Sequence, residues 1–269
     1  MIIFKSINKL NKEVNFKANV GFVPTMGALH KGHISLIKSS KSKCKKTLVS
    51  IFVNPLQFNK KNDLKKYPKN LKKDIKILKK LKVDYLLIPK IGEIYKNKKK
   101  MKIKIAKKDK ILCAKYRPGH FEGVLAVIHE FLSNIKVKYM FLGKKDYQQI
   151  YLIKKYIIKK FKTKIITCET IRLKNLLPCS SRNLLLSKLE IKKASIVSKI
   201  LKKFYLLTRK DFKNVKKILE LKNKIKSFKV NTEYLEIRNK INFSKKIKRS
   251  NFKVFISFYV GKIRLIDNF

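Results

Sequence analysis

The chain has 269 residues, of which 45% are hydrophobic, so it can bury a core and is neither a disordered nor a fibrous protein. It carries 70 Lys and Arg residues against 16 Asp and Glu residues, for a formal net charge of +54, and its four cysteines include no C-x-x-C pair. This cysteine usage encodes neither a disulfide framework nor a zinc knuckle and favours a reducing compartment.

In chain order, the first half alternates short apolar runs with longer segments of helical periodicity, a pattern typical of βα units around a parallel sheet. Strands are predicted at residues 20–23, 47–53, 85–88, 139–142 and 164–168. Helices are predicted from about residue 33, across 64–81, and over 123–135 and 147–161. Residues 1–170 are therefore predicted to form a doubly wound parallel sheet, a Rossmann-like domain.

The pattern changes after Thr170. Two Lys-rich helices are predicted at about residues 188–207 and 211–227, and they are followed by alternating runs at 233–238, 252–260 and 263–266. Gly261-Lys262 separates the last two runs and predicts a hairpin. Residues 171–269 are therefore predicted to form a small α+β lid domain with antiparallel strands.

The loop at residues 24–33 is the first candidate site, because ligands of open parallel sheets bind beyond the carboxyl ends of the strands. Its glycines permit close backbone approach, and the following helix N-terminus is expected to offer free N–H groups with roughly half a positive charge, which suits phosphate. His30 and His33 can both donate hydrogen bonds to such a group. A metal pair is the alternative, but no third ligand is near in sequence. A structural role for one of the two histidines stays open.

Three further loops carry polar groups. Gln57, in residues 54–59, can donate and accept, as recognition of a substrate with hydroxyl and carboxylate groups requires. Lys145 and Asp146 stand at another helix start, with Gln149 about one turn farther on. Residues 179–183 offer two hydroxyls and the guanidinium of Arg182, which suit phosphate oxygens. Each loop alone is weak evidence of function.

Together these segments resemble the pantothenate synthetase family, which lies within the H-x-G-H nucleotidyl transferase group. His30-Lys31-Gly32-His33 supplies the tetrad of that group. The resemblance continues in order over nearly the whole chain, through residues 49–58, 63–68, 117–121, 143–149, 180–183 and 264–268.

The resemblance implies an ATP-dependent, AMP-forming ligase that condenses pantoate with β-alanine. Pantoate attacks the α-phosphate of ATP, and the amine of β-alanine then displaces AMP from pantoyl adenylate. The implied catalytic residues are His30, His33 and Lys145. The implied ATP-binding residues are Met26, Gly27, Ala28, Leu29, His30, Lys31, Gly32, His33, Gly143, Lys144, Lys145, Asp146, Ile171, Cys179, Ser180, Ser181 and Arg182.

The resemblance implies that residues 1–170 form the nucleotide- and pantoate-binding domain. It also implies that two glutamines contact pantoate and β-alanine. Gln57 and Gln149 would bind pantoate, and Gln57 would also border the β-alanine site. Within the ATP site, Lys145 would hold phosphate, Asp146 the ribose side, and Ile171 the adenine region, while residues 179–182 would close over the nucleotide. Mg²⁺ would accompany ATP, no protein metal ligands are implied, and the family is typically a homodimer.

Three positions depart from the family pattern. Lys144 stands where Glu is usual, Asn175-Leu176 where an Asp-Gly turn is common, and Cys179 where Met or Leu is usual. None of them removes an implied catalytic group. They bear on the local geometry of the loops that hold the nucleotide.

Two other functions compete with this interpretation. Another adenylyl or cytidylyl transferase would share the H-x-G-H loop but would have no need of the two glutamines. A basic nucleic-acid-binding protein would explain the charge, but 63 of the 70 basic residues are Lys, scattered along the chain, which favours drift in an A/T-rich genome over specific nucleic-acid binding. The chain has no apolar run of about 18 residues and no signal-peptide pattern at its start, so no membrane partner and a cytoplasmic location are expected.

Overall fold

The computed structural model describes residues 1–59, 61–95 and 103–269, and the chain forms two compact units, Met1–Thr170 and Ile171–Phe269. In the described residues of the first unit, six strands form one parallel sheet. These strands are β1 (Ile2–Phe4), β2 (Val20–Thr25), β3 (Lys46–Ile51), β4 (Tyr85–Leu87), β5 (Tyr139–Gly143) and β6 (Lys164–Cys168).

Helices connect the strands of this sheet. They are α1 (Ile7–Glu13), α2 (Lys31–Lys43), α3 (Lys61–Lys66), α4 (Leu71–Lys80), α5 (Ile91–Ile94), α6 (Cys113–Tyr116), α7 (His120–Asn134) and α8 (Tyr147–Tyr156). The strand order is β1-β4-β3-β2-β5-β6, so the chain winds outward in both directions from β2. The predicted doubly wound parallel sheet is confirmed, and the switch point between β2 and β5 is where a ligand crevice is expected.

The carboxyl end of β2 differs from the sequence prediction, which ended the strand at Val23. The strand continues through Pro24 and Thr25, which pair with Ser50 and Ile51 of β3. Pairing between β2 and β5 covers only Gly21 and Phe22, so Pro24, which has no N–H to donate, lies where the ladder on the β5 side has ended. The loop that follows therefore starts from a strand held on one side only.

Three predicted helices differ in extent. The single helical stretch over 64–81 is two helices, because Pro68 interrupts it and the side chain of Asn70 caps α4 by accepting from the amide of Lys73 at 3.0 Å. The helix predicted over 147–161 ends at Tyr156 and is followed by a 3₁₀ turn at Ile158–Lys160. The segment predicted as helix over 211–227 begins with a 3₁₀ turn at Phe212–Lys217.

The second unit, within its described residues, pairs three antiparallel strands with two helices. These elements are α9 (Lys188–Lys210), α10 (Ile218–Ser227), β7 (Asn231–Asn239), β8 (Phe252–Val260) and β9 (Ile263–Asn268). Apolar side chains of α9 and α10, among them Val197, Leu201 and Ile225, share a buried core with the central strand β8. The predicted α+β fold with a hairpin at Gly261-Lys262 is confirmed.

In the part of the chain that the structure describes, no helix combines the length and the apolar character needed to cross a membrane.

Candidate active site

Three successive amides in the loop between β2 and α2, those of Gly27, Ala28 and Leu29, donate hydrogen bonds to protein side chains. The hydroxyl of Thr25 accepts from the amide of Gly27 at 3.2 Å and donates to the carbonyl of Ser50 at 2.8 Å. The amides of Ala28 and Leu29 donate to the carboxylate of Asp74, at 2.8 and 2.7 Å. Gly27 and Ala28 both have positive φ, 77° and 49°. Gly27 adopts this conformation freely, whereas Ala28 needs the surrounding contacts to stay there.

His30 and His33 form a hydrogen-bonded pair at the start of α2. His30 is the N-cap residue, and its Nδ1 accepts from the amide of Gly32 at 3.1 Å. The amide of His30 donates in turn to Nδ1 of His33 at 3.4 Å, and the two rings stack with centroids 4.0 Å apart. Because each Nδ1 accepts a hydrogen bond, the ring proton of each histidine is on Nε2. Both side chains therefore present an N–H donor at the ring edge away from the backbone.

This arrangement limits the number of N–H groups that the helix N-terminus could offer to phosphate. The amides of His30 and Gly32 donate to ring nitrogens of the two histidines, which form a capping box across the first turn of α2. A phosphate at this position would meet the Nε2–H groups of the histidines.

The electrostatic surroundings keep both histidines neutral. Burial, followed by the nearby Lys145 ammonium, lowers the pKa of His30 from 6.5 to about 4, while Asp146 acts weakly in the opposite direction. Burial, then His30, then Lys145, lowers the pKa of His33 well below its ordinary value. At neutral pH the pair can donate hydrogen bonds but carries no charge, so Lys145 is the cation of this cluster.

The loop after β5 brings Lys145 and Asp146 to the same end of the sheet. Gly143 is the last residue of β5, and Lys144–Asp146 form a 3₁₀ turn that leads into α8. The ammonium of Lys145 lies 3.3 Å from a carboxylate oxygen of Asp146. Lys144, one of the three departures from the family pattern, forms an ion pair with Glu169 just beyond β6.

Gln57 links the loops after β2 and β3. Its side chain is buried, with Nε2 2.6 Å from the sulfur of Met26 and Oε1 3.4 Å from Nδ2 of Asn54. Its backbone carbonyl accepts from Nδ1 of His120 at 2.6 Å and from Arg117 at 3.3 Å. Gln57 is therefore fixed at both its side chain and its main chain.

Gln149 lies on the first turn of α8, where it is partly exposed. Its neighbour Gln148 is buried and donates to the carbonyl of Ile111 at 2.7 Å. The two adjacent amides thus have different surroundings, and Gln149 is the more accessible of the two.

Proteins of known function are similar to this chain in sequence and in fold. The family of pantoate–β-alanine ligases matches residues 2–269. The chain belongs to this family.

Individual members of the family are similar to the chain over its whole length. A pantothenate synthetase of Francisella tularensis subsp. novicida is 43% identical, covering 100% of this chain and 97% of its own length. A pantoate–β-alanine ligase of Francisella tularensis, solved in complex with β-γ ATP and β-alanine, has a TM-score of 0.85 at 41% identity, covering 100% of this chain and 97% of its own. A pantothenate synthetase structure from Thermus thermophilus has a TM-score of 0.91 at 26% identity, covering 100% of this chain and 99% of its own.

The remaining residues implied by the resemblance to the ligase family lie in the second unit, on one hairpin-like segment. The amide of Cys179 donates to the carbonyl of Ile171 at 2.9 Å. Ser180 caps a 3₁₀ turn at Ser181–Leu185 by accepting from the amide of Arg182 at 3.3 Å. Cys179 and Ser181 are buried. Their roles in nucleotide binding stay a prediction.

Arg172 stabilises this segment through hydrogen bonds of its guanidinium. Its guanidinium makes two hydrogen bonds to the buried carboxylate of Asp267, at 2.8 and 2.9 Å, and donates to the carbonyl of Leu176 at 3.0 Å. Leu176 has a φ of 70°, in the left-handed region. The family pattern has an Asp-Gly turn at this position, and a glycine would adopt this positive φ without strain.

Sequence reasoning missed Asp74. The signal that could have found it is the periodicity of α4, because Asp74 falls on the same helical face as Leu71, Ile75 and Leu78. A carboxylate on the apolar face of a Lys-rich helix indicates an internal hydrogen-bonding role. Arg117 and His120 lie in the family motif at residues 117–121, and the structure shows that both hold the carbonyl of Gln57.

Proposed function

We propose that the chain ligates pantoate and β-alanine in two steps at the carboxyl edge of the first unit's sheet. A carboxylate oxygen of pantoate forms a bond to the α-phosphorus of ATP, and pyrophosphate leaves with the electron pair of the broken P–O bond. The amine of β-alanine then bonds to the acyl carbon of pantoyl adenylate, loses a proton, and displaces AMP. The observation that carries the proposal is the family match over residues 2–269, in which the histidine pair lies beside Lys145.

In the first step, negative charge shifts toward the phosphate oxygens and the leaving pyrophosphate. The Nε2–H groups of His30 and His33 are fixed by their capping hydrogen bonds and can donate to these oxygens without reorganisation. Lys145 supplies the positive charge. A single preorganised donor of this kind contributes on the order of 10²-fold to rate in other enzymes. Because both histidines are neutral, we assign them to hydrogen bonding and not to proton donation.

Gln57 and Gln149 are proposed to bind pantoate, and Gln57 to border β-alanine. The support is that Gln57 is held rigidly by Asn54, Arg117 and His120, as an amide needs to be in order to select hydroxyl and carboxylate groups. The buried contact between Gln57 and Met26 joins this pocket to the proposed nucleotide loop. The two substrates can thereby be held next to each other.

Mg²⁺ is proposed to arrive with ATP as part of the substrate. Among the described residues, no group of three or more His, Cys, Asp or Glu side chains could hold a metal ion. The Nδ1 atoms of His30 and His33 are already acceptors for backbone amides, so neither is a metal ligand there. Mg²⁺ bound mainly by phosphate oxygens and water agrees with its preference for such ligands.

We further propose, from family resemblance, that the enzyme is a homodimer that works in the cytoplasm. Light scattering after size-exclusion chromatography measures the first property: a mass of twice 31.7 kDa is expected, and a monomer would contradict it. Fractionation of the cell tests the second property, the cytoplasmic location.

Isotope exchange between ATP and pyrophosphate tests the function. Exchange is expected with pantoate present and β-alanine absent, because adenylation precedes amide formation. The His33→Ala variant, which lacks one of the proposed hydrogen-bond donors, serves as the control, and its exchange rate is expected to be about 10²-fold lower. Exchange that needs no pantoate, or a covalently labelled protein, would refute the mechanism.

A further inference from the structure

Asp74 is a buried carboxylate at the end of the sheet where the histidines lie. It is 2% exposed and sits in the first turn of α4, where its own amide donates to the carbonyl of Asn70 at 3.0 Å. It forms no salt bridge within residues 1–59, 61–95 and 103–269. Burial raises the pKa of Asp74 above its ordinary value, and the hydrogen bonds from the amides of Leu29 and Ala28 offset part of this rise. The positive end of the α4 dipole favours the ionised form.

Each oxygen of Asp74 accepts from a different amide of the loop. Oδ2 accepts from Ala28 at 2.8 Å and Oδ1 from Leu29 at 2.7 Å, so one carboxylate fixes two consecutive peptide groups. The loop also lies directly against it, since a β-carbon at Gly27 would be 3.0 Å from Oδ2. Hydrogen bonds to an ionised acceptor are about twice as strong as neutral ones.

These bonds act where the backbone is under strain. Ala28 has a φ of 49°, a left-handed conformation that a non-glycine residue keeps only when its surroundings hold it there. Two residues farther on, His30 must be placed so that it caps α2 and accepts from Gly32. The orientation of both Nε2–H donors therefore depends on the path of the chain through Ala28 and Leu29.

We propose that Asp74 is a positioning residue for the adenylation step, which it serves by holding residues 26–30 in the conformation that aims the Nε2–H donors of His30 and His33. The proposal rests on the proposed function, in which those donors meet the phosphates of ATP. Asp74 touches no substrate in this account and acts only through the loop.

A positioning role predicts that loss of Asp74 affects the two substrates, ATP and pantoate, to different extents. One side-chain contact of Gln57, with Met26, belongs to the loop that Asp74 holds. The contacts of Gln57 with Asn54, Arg117 and His120 lie outside that loop and do not pass through Asp74. Loss of the carboxylate is therefore expected to impair use of ATP much more than use of pantoate. A residue that merely stabilised the fold would affect the two substrates alike.

The test compares Asp74→Asn with Asp84→Asn. Asparagine replaces one acceptor oxygen of Asp74 by an NH₂ group, which faces a backbone N–H and cannot accept from it. Asp84 is the matched control, because it accepts from the amide of Thr47 at 2.9 Å and pairs with Lys46 at the opposite, amino-terminal edge of the same sheet. Pantoate-dependent exchange is measured with each substrate varied, at a temperature where unfolding curves show each variant folded.

For Asp74→Asn we expect kcat/KM for ATP to fall about 10- to 100-fold while KM for pantoate changes less than about threefold. Asp84→Asn is expected to stay within about threefold of the unmodified chain in both. Equal effects on both substrates, or an ATP effect no larger than that of Asp84→Asn, would overturn the proposal.

Amide hydrogen exchange supplies a readout that does not need activity. The segment at residues 26–30 is expected to exchange at least about tenfold faster in Asp74→Asn, with β3 unchanged; equal protection would overturn the proposal. If the unmodified chain shows no pantoate-dependent exchange of pyrophosphate, the proposed function fails, and the amide measurement still decides whether Asp74 holds the loop. If Asp74→Asn does not fold, Asp74→Glu takes its place, because it keeps the charge but shifts the position of the carboxylate. The same two criteria then apply, namely the effects on ATP and pantoate and the amide exchange rate at residues 26–30.

Discussion

Lowering the pH should destabilise the protein through His30. The pKa of His30 is about 4 in the folded chain, because of burial and Lys145, and returns to about 6.5 when the chain unfolds. Between these values the unfolded chain binds a proton that the folded chain does not, so the free energy of unfolding falls as the pH drops from about 6.5 to about 4. At about 1.36 kcal/mol per pKa unit, the loss reaches about 3 kcal/mol and then levels off.

Urea unfolding at pH 7 and pH 4 measures this loss in the unmodified chain and in His30→Asn. Asparagine is a good N-cap residue and does not titrate, so it keeps an acceptor for the amide of Gly32. The carboxylates titrate in both proteins, and their contribution cancels in the difference. The unmodified chain should lose about 3 kcal/mol more than the variant. Equal losses would refute the assignment of His30 as a buried neutral donor.

Nitrogen-15 NMR of the four histidines provides a direct check. His30 and His33 should show the Nε2–H form at pH 7 and no protonation near pH 6.5. His120 should show the Nδ1–H form, because its Nδ1 donates to the carbonyl of Gln57. A titration of either His30 or His33 near pH 6.5, or an Nδ1–H form of either, would contradict the capping geometry.

Four further outcomes are expected. Gln57→Ala should raise KM for pantoate by about tenfold or more and leave KM for ATP nearly unchanged in steady-state assays; equal rises would mean that the side chain only holds the loop. Arg172→Ala should cost about 3–5 kcal/mol in urea unfolding, because it leaves the buried carboxylate of Asp267 unpaired, and a loss below about 1 kcal/mol would contradict this. Leu176→Gly should raise the free energy of unfolding by about 0.5–1 kcal/mol by relieving its positive φ, whereas Leu177→Gly, at a fully buried neighbour, should lower it. The melting temperature should rise between about 0.01 and 0.3 M NaCl, because salt screens the repulsion among the charges that sum to +54; a temperature independent of salt would show that the charges are arranged so that repulsion is small.

The sequence predicted elements best where polar turns bound an apolar run. β6 and β8 begin and end at the predicted residues, because each is flanked by charged or turn-forming positions. β1 was missed because it has three residues and two of its side chains are exposed, which leaves no alternation to recognise. The break between α3 and α4 depends on Pro68 and on the cap at Asn70, and hydrophobic periodicity alone runs across both.

The candidate site was predictable in its residue types but not in its protonation. The H-x-G-H tetrad located the histidines, yet their neutral state follows from burial and from hydrogen bonds that only the folded backbone defines. Asp74 could not be linked to the loop by spacing, because 46 residues separate it from Ala28. Contacts of this range depend on how α4 packs, which local pattern does not determine.

Gly123, in the first turns of α7, makes the position of the turn that carries Gln57 depend on one missing side chain. A β-carbon at this position would lie 2.3 Å from the carbonyl oxygen of Leu56, so the helix and the turn at Pro55–Gln57 meet main chain against main chain. No side chain at position 123 separates the two main chains, so their contact depends on the absence of one β-carbon. The geometry of Gln57 is therefore sensitive to a single codon, because any residue with a β-carbon at position 123 would force the turn away.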